Sequence, residues 1–141
     1  MILKILGFNR KKEIRITRTY FKISIDDKTI IKEILLLKEP DKIIKKEKFT
    51  ILFEKFASII LCFVVDNSEN LFYISNAMNT FVIVLDKYFK RVCELNLIYS
   101  FDKVHYLLDN YICNGKVIET DEITILNKMN IFQEKILNEK Y

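Results

Sequence analysis

The sequence predicts an α+β domain in which a five-stranded antiparallel sheet carries helices on both faces. Three observations carry this expectation. Five short apolar or alternating segments are interrupted by one amphipathic stretch after the second, and a stripe of apolar residues at helical spacing begins at Leu71. The 141-residue chain also holds only two glycines and one proline, with no linker, repeat or low-complexity tract to divide it. At 50% hydrophobic, 13% aromatic and 30% charged residues, such a chain forms one compact domain, residues 1–141. That length buries about two thirds of the surface the unfolded chain exposes.

Met1 to Phe8 is an apolar run that reads as a buried strand. Glu13 to Tyr20 sets Ile14 and Ile16 on one face against Glu13, Arg15 and Thr17 on the other, the period of a half-buried strand. Asn9 to Lys12 then makes the hairpin turn, in which Lys11 or Lys12 takes a left-handed conformation at about 1 to 2 kcal/mol. Asp26 or Asp27 caps a helix carrying Ile30, Ile31, Ile34, Leu35 and Leu37 on one side, and Pro40 ends it. Lys42 to Lys46, Phe49 to Phe53 and Ser58 to Val65 supply three more strands, the last suited to the middle of a sheet.

Leu71, Ile74, Met78, Phe81, Leu85 and Tyr88 recur every three or four residues and form one helical stripe. A second helix is expected over about Leu97 to Cys113, with Phe101, Val104, Leu108 and Tyr111 inward and Asn114-Gly115 as its left-handed stop. Thr120 caps a last helix, about residues 121–138, in which Leu126, Met129, Phe132 and Ile136 share a face.

The formal charge of +4 is unevenly spread: residues 1–56 carry 15 basic against 8 acidic side chains, and residues 57–141 carry 8 against 11. A basic face in the first part suits an acidic partner or membrane surface as well as plain solvation. Nucleic acid is a poor fit, because Arg10, Lys11, Lys12, Arg15 and Arg18 cluster near a turn without the aromatic and glycine pattern of an RNA-reading sheet. Cys62, Cys93 and Cys113 lack metal-ligand spacing and sit among apolar neighbours, so they are expected to be small buried thiols in a reducing cytosol. Met1 to Phe8 is short, interrupted by Lys4 and without a small-residue cleavage site, so it does not read as a secretory signal. No run approaches the roughly 18 apolar residues of a membrane span. With one histidine, His105, and no phosphate loop, nucleophile elbow or metal cluster, neither catalysis nor a cofactor is implied.

The run Leu85-Asp86-Lys87-Tyr88-Phe89-Lys90-Arg91-Val92-Cys93-Glu94-Leu95-Asn96-Leu97 is followed by Asp102-Lys103-Val104-His105-Tyr106-Leu107-Leu108-Asp109 and by Gly115-Lys116-Val117-Ile118-Glu119-Thr120. Together they resemble the signature of the clathrin adaptor small, or sigma, subunits. The order strand, strand, helix, three strands, then helices is likewise the pattern of the longin-like (SNARE-like) fold to which those subunits belong. The resemblance implies a non-catalytic subunit of a heterotetrameric adaptor with two large and one medium partner, acting in vesicle-mediated protein transport. It also implies an obligate interface with the trunk of one large subunit, above about 2,000 Å². Its location would be cytoplasmic and peripheral on Golgi and endosomal membranes and coated vesicles, since Leu85-Asp86-Lys87-Tyr88-Phe89 is most similar to the Golgi and endosome type. The alternative is another longin-type trafficking subunit, a COPI zeta-like coat subunit or a tethering-complex component, with a structural role only.

In the sigma family the small subunit receives acidic dileucine signals, Glu/Asp-x-x-x-Leu-Leu/Ile, from cargo tails. By resemblance, Arg15 helps hold the acidic side chain, and Ala57, Ile59, Val82, Arg91, Val92, Leu95 and Leu97 form the pocket for the two leucines. Without the resemblance, Arg15 is an ordinary strand arginine and all the others but Arg91 read as core. Burying two leucines is worth on the order of 3 to 6 kcal/mol, whereas an exposed ion pair gives about 0 to 1. The apolar pocket therefore sets most of the affinity, in a roughly micromolar complex. This chain has Phe53-Glu54-Lys55-Phe56-Ala57 where the family commonly has Tyr-Arg-Arg-Tyr-Ala, and Arg91 where a small or polar residue is usual.

Overall fold

The computed structural model describes residues 1–37 and 42–140, with side chains described to Lys135. Strands β1 (Ile2–Asn9), β2 (Ile14–Thr19), β3 (Ile43–Lys45), β4 (Phe49–Phe56) and β5 (Ile59–Asp66) form one sheet in the order β2-β1-β5-β4-β3. Every neighbouring pair is antiparallel. Helix α1 (Asp27–Leu36) follows β2, and α2 (Leu71–Phe89), α3 (Glu94–Tyr99), α4 (Phe101–Tyr111) and α5 (Glu122–Lys140) follow the sheet. The expected α+β architecture is the observed one.

Strand β5 explains why its sequence is apolar throughout. Ile59, Leu61, Phe63 and Val65 face a core shared with α2, α4 and α5, while Cys62 and Val64 face a second core under α1. A central strand covered on both sides has no solvent face to keep polar. On the α1 side, Leu6, Phe8 and Ile51 meet Ile30, Ile31 and Ile34. Asp26 caps α1 by accepting from the Thr29 N–H at 2.9 Å. Leu37, expected inward, follows the last turn and is exposed; Pro40 lies outside the described residues.

Helix α2 buries Ile74, Met78, Phe81 and Leu85 as its spacing predicts, together with Ala77 and Val84. Phe81 packs between Phe63 and Tyr111, with ring centroids at 6.5 and 6.4 Å. Tyr111 donates its hydroxyl proton to the Ala77 carbonyl at 2.8 Å, tying α4 to α2.

The later helices differ from expectation. The single helix expected over Leu97 to Cys113 is two, broken at Ser100. Val104, Leu107, Leu108 and Tyr111 form the buried stripe of α4; Phe101, its first residue, projects beyond the packed turns and is 60% exposed. Asn114-Gly115 is no helix stop. It is the two-residue turn of a small hairpin, β6 (Ile112–Cys113) and β7 (Lys116–Val117), with φ of 49° and 81°, the left-handed pair that such a turn requires.

Asp121, rather than Thr120, opens α5: the Thr124 hydroxyl donates to its carboxylate at 2.6 Å. That bond, with the backbone N–H groups of Ile123 and Thr124, holds the Asp121 carboxyl below its usual range. Ile125 and Met129 anchor α5, Leu126 and Phe132 are half-buried, and the Ile136 side chain lies outside those described. Of the cysteines only Cys62 is buried; Cys93 and Cys113 are exposed because they sit at a turn and in the hairpin rather than inside a helix.

Candidate functional site

Two tight turns meet at one end of the sheet. Because β1 and β5 pair down to Asn9 opposite Ile59, the β1–β2 turn and the β4–β5 turn lie side by side. Asn9 shapes the first by accepting from the N–H groups of Lys11 and Glu13 at 2.9 and 3.0 Å, and Lys12 takes the left-handed conformation (φ 68°) that the sequence requires of one lysine there. Ala57 (φ 50°) makes the second turn.

Helix α3 is brought against these turns by the end of α2. Lys90 and Arg91 both have positive φ, 52° and 87°. The Asp86 carbonyl accepts from the N–H groups of both residues, and its carboxylate accepts from the Val92 N–H at 2.9 Å. Val92 and Leu97 are thereby turned into the core, and Glu94 towards the sheet end.

Glu94 ties the pieces together. One carboxylate oxygen accepts from Asn9 Nδ2 at 2.7 Å and Arg15 Nε at 2.8 Å, and the other from the Ser58 hydroxyl at 3.3 Å. The Arg15 bond, followed by the Asn9 bond, holds the Glu94 carboxyl below its ordinary range, and the Glu94 bond raises Arg15. Arg15 also donates to Glu13 at 3.2 Å.

Between the turns and α3 lies an open cleft of about 600 Å³. Ala57, Leu95 and Ile98 give it an apolar wall, with Leu95 59% exposed, and Arg10, Lys11, Arg15 and Lys55 supply cations against Glu13 and Glu94. Such a surface suits a ligand that is apolar at one end and anionic at the other.

Of the residues singled out by resemblance, Arg15, Ala57 and Leu95 line this cleft. Ile59, Val92 and Leu97 do not: at 0%, 7% and 1% exposed they belong to the core, and Val82 is half-buried against the same cluster. Arg91 is exposed and outside the lining, so it neither clamps nor blocks the cleft in this conformation. Glu54 is also outside the lining and pairs with Lys42 at 2.5 Å. Sequence reasoning missed Asn9, Glu13, Lys55, Ser58, Glu94 and Ile98 as lining residues, and met Arg10 and Lys11 only as part of a basic cluster near the first turn.

His105 has a structural place. Arg18 donates to its Nδ1 at 2.9 Å, to its carbonyl at 3.2 Å and to Asp109 at 2.6 Å, joining β2 to α4. Burial, then the nearby Arg18 charge, lowers the His105 pKa. Among the described residues no cluster of three or more His, Cys, Asp or Glu side chains has metal-binding geometry, and no helix is long and apolar enough to cross a membrane.

Comparison with known proteins gives a consistent picture. Residues 1–136 match the profile of the clathrin adaptor complex small chain family. AP-4 complex subunit sigma-1 of Homo sapiens is 29% identical over 140 residues, covering 95% of this chain and 97% of the relative. AP-1 complex subunit sigma-1 of Dictyostelium discoideum is 30% identical over 136 residues, covering 92% and 87%. AP-3 complex subunit sigma-2 of Homo sapiens is 35% identical over 133 residues, covering 86% and 69%. Among known structures, a chain of a homology model of the full-length AP-3 complex in a stretched open conformation shares the fold. Its TM-score is 0.71 over 99% of this chain and 98% of that one, at 23% identity.

Proposed function

This chain belongs to the clathrin adaptor complex small chain family, and from that premise we propose that its cleft receives acidic dileucine signals on cargo tails. Members of the family are trafficking subunits, and the chain is not an enzyme. It acts as a single domain, the sigma subunit of a heterotetramer with two large subunits and one medium subunit, peripheral on Golgi and endosomal membranes and coated vesicles. The sigma subunits of AP-1, AP-3 and AP-4 among its relatives support that assembly.

One observation supports the cargo reading above the rest: an apolar wall of Ala57, Leu95 and Ile98 stands beside a cationic rim in one cleft. The wall takes the leucines, while Ile59, Val82, Val92 and Leu97 form the packed layer that fixes the elements carrying it. Arg91 stays on the exposed turn leading into α3. The leucines supply most of the affinity, on the order of 3 to 6 kcal/mol if fully buried.

The test is binding of a Glu-x-x-x-Leu-Leu peptide, and of its Ala-Ala counterpart, to the chain purified with its partners. Replacing the leucines should weaken binding by about tenfold or more, and Leu95→Asp should do the same to the parent peptide. Equal affinity for the two peptides, or purification without large and medium subunits, defeats the proposal.

A further inference from the structure

The net positive charge of this chain sits at one end of the sheet. The β1–β2 turn carries Arg10, Lys11 and Lys12, the end of β4 carries Lys55, and the turn between α2 and α3 carries Lys90 and Arg91; all six are exposed. Glu94, which accepts from both Asn9 and Ser58, holds the third of these segments against the other two. Residues 10–15, 55–58 and 90–94 together contain 7 of the 23 basic side chains and 2 of the 19 acidic ones, which leaves 16 against 17, close to neutrality, for the rest of the chain.

The two acids of these segments, Glu13 and Glu94, both pair with Arg15. The six exposed cations have no acidic partner within ion-pair distance among the described residues. Three of them, Lys12, Lys90 and Arg91, have φ of 68°, 52° and 87°, a region in which glycine is more at ease than a long side chain. These three also lie outside the lining of the cleft. Six like charges without internal counter-charge repel one another and are stabilised by an external anion. They are spread over three segments instead of converging on one pocket, with the 59% exposed Leu95 between them. A single small anion meets only some of them, whereas a surface dense in anionic groups meets them all.

We propose that this end of the chain docks on the anionic headgroups of a lipid bilayer, with Lys12, Lys90 and Arg91 as contacts that the cleft does not use. The proposal stands apart from the peptide reading. A basic side chain brought to an anionic bilayer surface strengthens binding about fivefold. The attraction fades within a Debye length, about 8 Å at physiological salt, so the contact is reversible and weakens as salt rises.

The experiment measures cosedimentation of the chain, purified with its partners, with phosphatidylcholine vesicles containing about one fifth phosphatidylserine and with phosphatidylcholine alone. Lys12→Gln/Lys90→Gln/Arg91→Gln should weaken binding to the anionic vesicles by about tenfold or more. Lys28→Gln/Lys32→Gln/Lys45→Gln removes the same charge from exposed, unpaired lysines of α1 and β3, and should weaken it by less than about twofold. Equal losses in the two variants make net charge rather than this end responsible and overturn the proposal, as does undiminished binding in the first. A first variant that no longer copurifies with its partners assigns these cations to a protein interface and overturns it as well. Leucine-dependent peptide binding should be unchanged in the first variant, so failure of the cleft reading, seen as equal affinity of the wild type for the leucine and alanine peptides, is told apart from failure here.

Discussion

Gly115→Ala should destabilise the fold by about 2 to 3 kcal/mol without touching the cleft. Gly115 has φ +81°, and a Cβ added there would stand 2.3 Å from the Ile2 carbonyl oxygen. The obstacle is backbone, so no side chain can swing aside, and the turn must retreat from β1. The left-handed conformation costs a non-glycine residue about 1 to 2 kcal/mol. Retreat also stretches the 2.7 Å bond from the Ile2 N–H to the Gly115 carbonyl, worth about 0.5 to 1.5 kcal/mol. An unfolding entropy of about 2.1 cal/mol/K per residue gives roughly 300 cal/mol/K for this chain, and hence a Tm lower by about 7 to 10 °C. Calorimetric melts of wild type, Gly115→Ala and the exposed control Lys116→Ala would measure it, the control staying within about 0.5 kcal/mol. A Tm within about 2 °C of wild type would refute the steric argument. Since Ile2 and Asn9 are opposite ends of β1, about 23 Å apart at strand rise, leucine-dependent peptide affinity should be unchanged in the folded variant.

Phe81→Ala removes the ring between Phe63 and Tyr111 and should cost about 3 to 5 kcal/mol in urea unfolding; a loss under about 1 kcal/mol would mean that the core closes over the gap. In the native protein Cys93 and Cys113 should react with a thiol reagent while Cys62 does not, as mass spectrometry after a short exposure can show. Cys62 is enclosed and burial pushes its thiol pKa up. Stability should fall on acidification in two stages. His105 is held below its ordinary value by burial and then Arg18, so the unfolded chain binds the proton first; the loss begins below about pH 6.5 and ends at the lowered folded value. The Glu94 and Asp121 carboxyls are also depressed, by hydrogen bonds from Arg15 and Thr124 respectively. Their contribution is present above the unfolded carboxylate range and disappears as pH drops through the folded values. Urea midpoints of wild type and His105→Gln between pH 7.5 and 5.5 should differ in slope, and parallel profiles would reject the His105 assignment.

The sheet and α2 were legible because their signals are local. The unbroken apolar run of β5 and the stripe from Ile74 to Leu85 each follow from which faces are covered, whereas alternation on β2 holds for Ile16 only, since Ile14 at the strand's start is 40% exposed. What escaped depends on contacts between distant segments. The break at Ser100 leaves α3 free to present Glu94 to Asn9 and Arg15, partners 85 and 79 residues away, and nothing in the run Leu97 to Tyr111 announces it. Strands β6 and β7 have two residues each, too few for a period, so Asn114-Gly115 resembled a helix stop when it is a hairpin turn.

The cleft follows the same division. Its lining comes from residues 9–15, 55–58 and 94–98, and side-chain type alone does not say that Leu95 is outside while Leu97, two positions on in the same short helix, is inside. The family run from Leu85 to Leu97 is informative about framework rather than about ligand. Asp86 closes the end of α2, Val92 and Leu97 fill core, and Glu94 bolts α3 to both turns. The exposed cations of the cleft lie outside that run, Arg10 and Lys11 in the β1–β2 turn and Lys55 near the end of β4. Exchanges there change the charge preference of the cleft and leave intact the residues that fold it, whereas a change at Asp86 or Glu94 moves the apolar wall itself.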